Sequence, residues 1–297
     1  SEYKILNVLG EGKYGTVSLG KNCSTGELVA IKRPKIDECG DYPDEQVDKT
    51  AEVIREIEML RRTSHRNVIE LKDIVLDCDN ICLVMEVGDR SLQDDIKKKI
   101  PFSTSDVKSI MSQLLDGVGH LHKNNIFHRD LKPANILMTK ENVLKICDLG
   151  MARELNSPDG CYTTPVVTLW YRPLEILLGS RKYGPAIDIW SMGCIFYELL
   201  TLESLFPGTN ELDQIKTICR VLSTPNETVW PGIKNMPLLR AIKLKNYSGR
   251  LKKLQSQLST KEYQLLMMFL QFEEEKRVKP PIALRHAFFE DDYQGTK

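Results

Sequence analysis

The string His128-Arg129-Asp130-Leu131-Lys132-Pro133-Ala134-Asn135 is followed, after the short strand-like "VLKIC", by Asp148-Leu149-Gly150. These residue types suit the movement of a phosphoryl group. The Asp130 carboxylate can accept or orient a hydroxyl proton, and Lys132 can neutralise charge on the group in transit. Asn135 and Asp148 offer hard oxygen ligands of the kind Mg²⁺ takes. His128 reads as structural, packing this loop against the turn of Asp148. A second candidate is Gly10-Glu11-Gly12-Lys13-Tyr14-Gly15-Thr16-Val17, because a backbone without Cβ atoms can approach phosphate oxygens closely. Taken alone, that pattern describes a glycine-rich hairpin turn equally well. A third is Lys32, at the end of Val29-Ala30-Ile31-Lys32.

The elements that must hold these side chains are legible in outline. "YKILNVLGEG", "YGTVSLGKN" and "ELVAIKRPKI" carry β-branched and apolar residues divided by glycine-containing turns and read as strands, as do "NVIELKDIVLD" and "NICLVMEVGD". "DECGDYPDEQ" reads as a loop and "VDKTAEVIREIEMLRR" as a helix. In that helix Val53, Glu56, Ile57 and Leu60 share one stripe, which puts the Glu56 carboxylate on an apolar face. Such a group is costly to bury unless paired, and Lys32 is the partner to expect. After Gly88 the texture turns helical, with "SDVKSIMSQLLDGVGHLHKN", "AIDIWSMGCIFYELLT", "ELDQIKTICRVL" and "TKEYQLLMMFLQF". A strand-rich lobe followed by a helical one is α+β, with the boundary expected near Val87–Ser91. The glycine loop runs into "TVSLG", a strand, whereas a dinucleotide-binding loop opens a helix and a Walker loop requires Gly-Lys-Ser/Thr.

Composition sets outer bounds. The 297 residues balance 41 Lys and Arg against 41 Asp and Glu, with 41% hydrophobic and 28% charged residues and a mean hydropathy of -0.29. That excludes disorder and collagen-like repeats, and allows one large domain or two lobes around a shared cleft. No net positive field favours a nucleic acid as the main partner. No apolar run approaches the ~20 residues that span a bilayer, and no signal-peptide pattern opens the sequence. The eight cysteines are scattered, without a metal-binding or disulfide framework. The expectation is an intracellular protein, cytoplasmic or nuclear, with no membrane or nucleic-acid role.

A glycine loop between strands, a Val-Ala-Ile-Lys strand, a helical glutamate, His-Arg-Asp-Leu-x-x-x-Asn and Asp-Leu-Gly together resemble the protein kinase family across essentially the whole chain. Lys132-Pro133 resembles its serine/threonine class. "IREIEML", "VVTLWYRPLEILLG", "AIDIWSMGCIFYELL", "LFPGTNELDQI" and "LSTPNETVWPG" resemble cyclin-dependent kinases of the CMGC group. The resemblance implies a bilobal kinase domain over 1–297: a small β-rich lobe at about 1–87 with one key helix, a hinge at about 86–91, a larger helical lobe at about 92–297, and an activation segment at 148–175. It implies ATP and Mg²⁺, with residues 10–17 over the phosphates and Leu9, Val17, Ala30 and Leu137 around the adenine. Met85 would be the gatekeeper, and backbone groups of Glu86 and Gly88 would bond the adenine edge. Lys32 and Glu56 would form the phosphate-orienting pair, and Asn135 and Asp148 would hold metal. Asp130 and Lys132 would be catalytic, bridged by Thr168. Asp188 would tie the catalytic-loop backbone and Glu175 would pair with Arg277, both structurally.

The resemblance also implies regulation. Thr163, seven residues before Trp170, falls where the family carries an activating phosphothreonine, and Arg55, Arg129 and Arg153 would receive its phosphate. Pro165 replaces the second phosphosite of mitogen-activated kinases. Tyr14 occupies an inhibitory tyrosine position, although Lys13 replaces the threonine before it. Arg172 resembles the arginine shaping a pocket for proline after the phosphoacceptor, implying Ser/Thr-Pro substrates. A cyclin would dock on the helix bearing Glu56, where Lys49-Thr50-Ala51-Glu52-Val53-Ile54-Arg55-Glu56 departs from the family's Pro-Ser-Thr-Ala-Ile-Arg-Glu. Leu149 stands in the Asp-Phe-Gly position and Pro173-Leu174-Glu175 replaces Ala-Pro-Glu. Two other readings remain: a CMGC kinase active without a cyclin, and a catalytically dead scaffold. The latter would lack Lys32, Asp130, Asn135 or Asp148, and all four are present.

Overall fold

The computed structural model describes residues 2–12, 15–35, 43–77, 80–155, 168–242 and 244–290. In chain order the first elements are β1 (Tyr3–Gly12), β2 (Gly15–Asn22), β3 (Leu28–Pro34), α1 (Pro43–Arg62), β4 (Leu71–Asp77), β5 (Asn80–Met85) and β6 (Arg90–Ser91). Then follow α2 (Leu92–Lys97), α3 (Thr104–Lys123), β7 (Ile126–Phe127), β8 (Ile136–Met138), β9 (Leu144–Ile146) and β10 (Arg153–Glu154). The remainder is helical: α4 (Leu174–Leu177), α5 (Ala186–Thr201), α6 (Glu211–Leu222), α7 (Leu239–Ile242), α8 (Leu251–Gln257), α9 (Thr260–Phe269) and α10 (Pro280–Ala283).

The chain forms two compact units, Ser1–Ser91 with Ile136–Ala152, and Leu92–Asn135 with Arg153–Lys297. Residues 136–152 fall in the first unit, where β8 pairs with both β6 and β9 and the Ile69 N–H donates to the Ile146 carbonyl at 2.8 Å.

The first unit carries an antiparallel sheet of order β1-β2-β3-β5-β4. Along β3 the two-residue period divides the side chains. Val29 and Ile31 join Cys82 and Val84 in a buried cluster with Tyr3 and Val75 packed against it. Ala30 and Lys32 face the other way, opposite Leu19 and Val17 of β2. Helix α1 starts at Pro43, inside the stretch expected as loop.

In the second unit α3 starts at a reciprocal cap, with Ser103 Oγ accepting from the Asp106 N–H and the Asp106 carboxylate accepting from the Ser103 N–H. Such a cap contributes about 1 kcal/mol. Helix α5 is buried on all sides from Ile187 to Leu199, the mark of a central helix. Around it Trp190 stacks on Phe206 at 5.7 Å, and Phe196 meets Phe269 at 6.1 Å and Phe288 at 5.1 Å.

An ion pair locks this core. Arg277 Nη1 and Nη2 donate to the two Glu175 oxygens at 2.6 and 2.8 Å, with both side chains fully buried. Beside it, burial and the nearby Glu175 charge push the Glu274 carboxyl up to about 7, against the pull of Arg277. Folding therefore retains a proton that the unfolded chain releases near 4.5, so this contribution is full below pH 4.5 and is lost as pH rises through 7. Glu274→Gln is expected to match the parent in melting temperature at pH 4.5 and to exceed it at pH 8. Thermal melts across that range check the sign.

Candidate active site

The predicted residues fall into two sets, one in each unit. In the first unit the buried Lys32 Nζ donates to Glu56 Oε1 at 2.7 Å, to Glu56 Oε2 at 2.9 Å and to Asp148 Oδ1 at 3.1 Å. Helix periodicity delivers Glu56 here: Val53, Met59 and Leu60 bury the same flank of α1. Burial pulls the Lys32 ammonium down, but the two carboxylates outweigh it and hold the pKa well above its ordinary value, so the side chain stays charged. Asp148 itself sits in the left-handed region at φ 64, ψ 68. For a non-glycine residue that conformation costs roughly 1–2 kcal/mol. It is fixed by the buried Leu149, which starts a single 3-10 turn against α1, with Glu56 Oε2 3.5 Å from where a Cβ on Gly150 would lie.

The same unit builds the expected nucleotide wall. Ala30 pairs across the sheet with Met85, and both are buried. Val17 and Leu137 are half-buried and Leu9 is exposed. The Glu86 N–H is taken by the Glu70 carbonyl at 3.1 Å, which leaves the Glu86 carbonyl for an adenine edge. A Cβ on Gly88 would lie 2.7 Å from Leu137 Cβ, so any larger residue there would displace a wall side chain. Gly12 pairs with Gly15 at the end of the β1–β2 hairpin. Gly15, at φ 145, could carry a side chain only by meeting the Arg33 carbonyl at 2.3 Å. Gly10 and Gly12 face open space, which a phosphate can approach. Glu11 pairs with Lys35 at 2.9 Å.

In the second unit Asp130 is the acceptor for four donors. Its Oδ1 takes the Thr168 N–H and hydroxyl, each at 2.9 Å. Its Oδ2 takes Lys132 Nζ at 2.6 Å and Asn135 Nδ2 at 3.2 Å. Lys132 Nζ also donates to Thr168 Oγ1 at 2.9 Å, closing a ring of three residues. Asn135 Nδ2 donates further to the Asp130 carbonyl at 2.9 Å, which aims Oδ1 away as an acceptor suited to a hard cation. That oxygen and the Asp148 carboxylate have the donor chemistry Mg²⁺ requires.

The loop's own backbone is held from beneath. Asp188 Oδ2 accepts the His128 N–H at 2.8 Å and Oδ1 accepts the Arg129 N–H at 2.9 Å, while His122 Nε2 lies 2.8 Å from Oδ2. Burial pushes the Asp188 carboxyl up, but its bonds to His122 and the Arg129 N–H bring it below its ordinary value. His128 Nδ1 accepts the Asp130 N–H at 3.2 Å. Arg129 takes φ 70, is wholly buried, and stacks 5.8 Å from the centre of the Tyr183 ring.

Lys13, Tyr14 and Thr163 lie outside the described residues. Arg55 is half-buried on α1, and Arg153 is half-buried in β10 opposite Phe127. Arg172 is buried and donates to Glu211 Oε1 at 2.6 Å. Sequence reasoning had not picked out Glu211, His122 or Tyr183. His122 stands six residues before His128 at the end of a predicted helix, a spacing that could have flagged it.

Comparison with known proteins agrees with this geometry. A family model described as "Protein kinase domain" matches residues 3–289. The chain is 41% identical to "Cyclin-dependent kinase G1" of Arabidopsis thaliana, over 98% of this chain and 49% of that protein. It is 39% identical to "Cyclin-dependent kinase 11B" of Rattus norvegicus, over 98% of this chain and 66% of that protein. With "Cyclin-dependent kinase 11A" of Homo sapiens the identity is 38%, over 98% and 37% respectively. The chain thus spans between about a third and two thirds of the length of these relatives. With the model covering nearly every residue, and a lysine–glutamate pair in one unit and an aspartate ring in the other, the chain belongs to the protein kinase domain family.

Proposed function

We propose that this chain is an ATP- and Mg²⁺-dependent serine/threonine kinase of the cyclin-dependent type, acting on Ser/Thr-Pro sequences in proteins. The ring of Asp130, Lys132 and Thr168 carries the reading. The Asp130 carboxylate, held by four donors, orients the acceptor hydroxyl and accepts its proton, and Lys132 balances charge on the moving phosphoryl group. Lys32, fixed by Glu56, would position the nucleotide phosphates, and Asn135 and Asp148 are the residues that would supply oxygen ligands to Mg²⁺. When bound, Mg²⁺ supplies charge neutralisation on the phosphate oxygens. Catalysis of this kind rests on positioning and electrostatics, which is what these fixed side chains provide.

Cyclin docking on α1 is supported by the exposed Ile54 on that helix and by the names of the relatives. Thr163 is the proposed activating phosphothreonine, with Arg55, Arg129 and Arg153 as its receivers. Arg55 Nη1 is buried without a hydrogen-bond partner among the described residues, which supports a role for it in taking an anion. Tyr14 is a proposed inhibitory position, and the proposed location is intracellular.

The test is transfer from ATP to a Ser-Pro peptide and its Ser-Ala counterpart, with and without candidate cyclins. Ser-Pro is expected to be preferred by about tenfold or more in kcat/KM. Activity should rise with a cyclin and with Thr163 phosphorylation, and Thr163→Ala should remove the second rise. Equal use of both peptides removes the proline reading. No transfer under any condition would favour the scaffold.

A further inference from the structure

Residues 228–261 carry eight Lys and Arg and no Asp or Glu, in a chain whose formal charge is zero. Six of them, Lys234, Arg240, Lys245, Arg250, Lys252 and Lys253, are exposed. Lys234 faces the charge of Glu227, which also accepts its backbone N–H at 3.0 Å, and the other five make no ion pair with a described residue. Other exposed cations do find partners, as in Lys35–Glu11 at 2.9 Å, Lys98–Asp95 at 3.3 Å and Lys276–Glu273 at 2.5 Å.

A run of charge is ordinarily just a solvated surface. Here the backbone beneath it is bolted down. The Thr224 N–H donates to the Tyr247 carbonyl at 3.0 Å, Thr224 Oγ1 donates to the Lys245 carbonyl at 2.7 Å, and the Arg250 N–H donates to the Val221 carbonyl at 2.9 Å. Gly249, at φ 75, permits the approach, since a Cβ there would lie 2.7 Å from the Ser223 nitrogen. The segment 245–250 is thereby laid along the end of α6, where the Arg220 guanidinium stacks 5.7 Å from the Tyr247 ring centre. Helix α8 continues from it with Lys252 and Lys253 in a first turn that contains no acid. Cations in a first turn oppose the helix dipole, so local stability does not account for them. Charges set on a fixed backbone lose little freedom when a ligand binds.

The ligand chemistry is anionic, and the surroundings narrow its class. A nucleic-acid surface adds exposed rings on which bases stack. Here the Tyr247 ring is taken by Arg220, and Trp230 is buried and stacked on Phe272 at 6.2 Å. A membrane-inserting surface sets apolar side chains beside its lysines. Between Lys234 and Lys253, Leu238 is the sole exposed large hydrophobic among the described residues.

We propose that the basic face formed by Lys245, Arg250, Lys252 and Lys253 beside the end of α6 docks an acidic segment of a partner protein, rich in Asp, Glu or phosphorylated residues. Its recognition is by charge, so it is sensitive to salt and fast to form. The test titrates the chain into a fluorescein-labelled Glu-Ser repeat peptide at low ionic strength and follows anisotropy. Binding is expected, weakening as salt is raised. It should weaken by about tenfold or more in Lys245→Glu/Arg250→Glu/Lys253→Glu. The corresponding triple Gln variant, which adds no repulsion within the chain, should show an intermediate loss, and melting curves check that both variants fold. Absence of binding at low salt overturns the proposal, as does equal binding by the charge-reversed chain. Tighter binding of oligouridine, or of phosphatidylserine vesicles, overturns the choice of partner. Transfer to a Ser-Pro peptide is expected to be unchanged in both variants, so failure of docking and failure of the kinase reading register separately.

Discussion

Asp130→Asn is expected to reduce phosphoryl transfer about a thousandfold while leaving the chain folded and able to bind ATP. Four donors converge on the Asp130 carboxylate, two on each oxygen. An amide offers one accepting oxygen. Whichever way it turns, its NH₂ group faces donors, either the Thr168 N–H or the Lys132 ammonium and Asn135 amide. The substitution thus removes the proton acceptor, discharges the partner of Lys132 and sets donor against donor in a ring that fixes three side chains. The first-unit set of Lys32, Glu56 and Asp148 does not pass through residue 130, so nucleotide affinity is expected to hold. Steady-state transfer to a Ser-Pro peptide, beside calorimetric titration of ATP, reads the two quantities apart. A variant retaining a third of the parent's turnover would remove Asp130 from the chemistry.

The largest loss of stability is expected from Arg277→Met. Its guanidinium makes the two bonds to Glu175 and donates to the carbonyls of Ala186 at 3.0 Å, Gln271 at 2.8 Å and Phe272 at 3.4 Å. It also lies 5.1 Å from the centre of the Trp190 ring. Removing it strands a fully buried carboxylate and three carbonyls, a loss of about 3–5 kcal/mol, read as a fall in melting temperature on the order of 10 °C. Arg277→Lys should recover only part of this, because an ammonium cannot reproduce the two-pronged geometry. Glu175→Gln/Arg277→Met should be more stable than Arg277→Met alone, since the stranded charge is gone. Were the double variant no better than the single, the cost would lie in the carbonyls and the ring contact.

The parts of this molecule that the sequence announced are those with a local period or a local spelling. Of the stripe Val53, Glu56, Ile57 and Leu60 on α1, Val53, Glu56 and Leu60 are buried because a helix repeats every 3.6 residues whatever surrounds it, while Ile57 is half-buried and Met59 is buried in its place. The two-residue period of β3 set Lys32 and Ala30 on one face for the same reason. Helices α5 and α6 began and ended where their apolar patterns did. What stayed hidden was decided by partners far along the chain. The bond from His122 to Asp188 spans 66 positions and the bond from Arg172 to Glu211 spans 39, and neither leaves a periodic trace. The left-handed backbone of Asp148 and Arg129 was equally silent, because neither is a glycine. The α1 start was misjudged because an acidic, proline-containing stretch reads as loop until the helix that follows claims it.

The return of 136–152 to the first unit has a topological consequence. The polypeptide passes from one unit to the other three times, after 91, after 135 and after 152. Neither unit is a continuous stretch of polypeptide. A break after residue 91 would leave β6 without its partner strand and Ile69 without its acceptor, and would leave β8 and β9 attached to a fragment that carries neither. Unlike beads on a string, these units cannot be shuffled by recombination at one seam, so gene fusions that keep the whole span together are the ones such a chain tolerates.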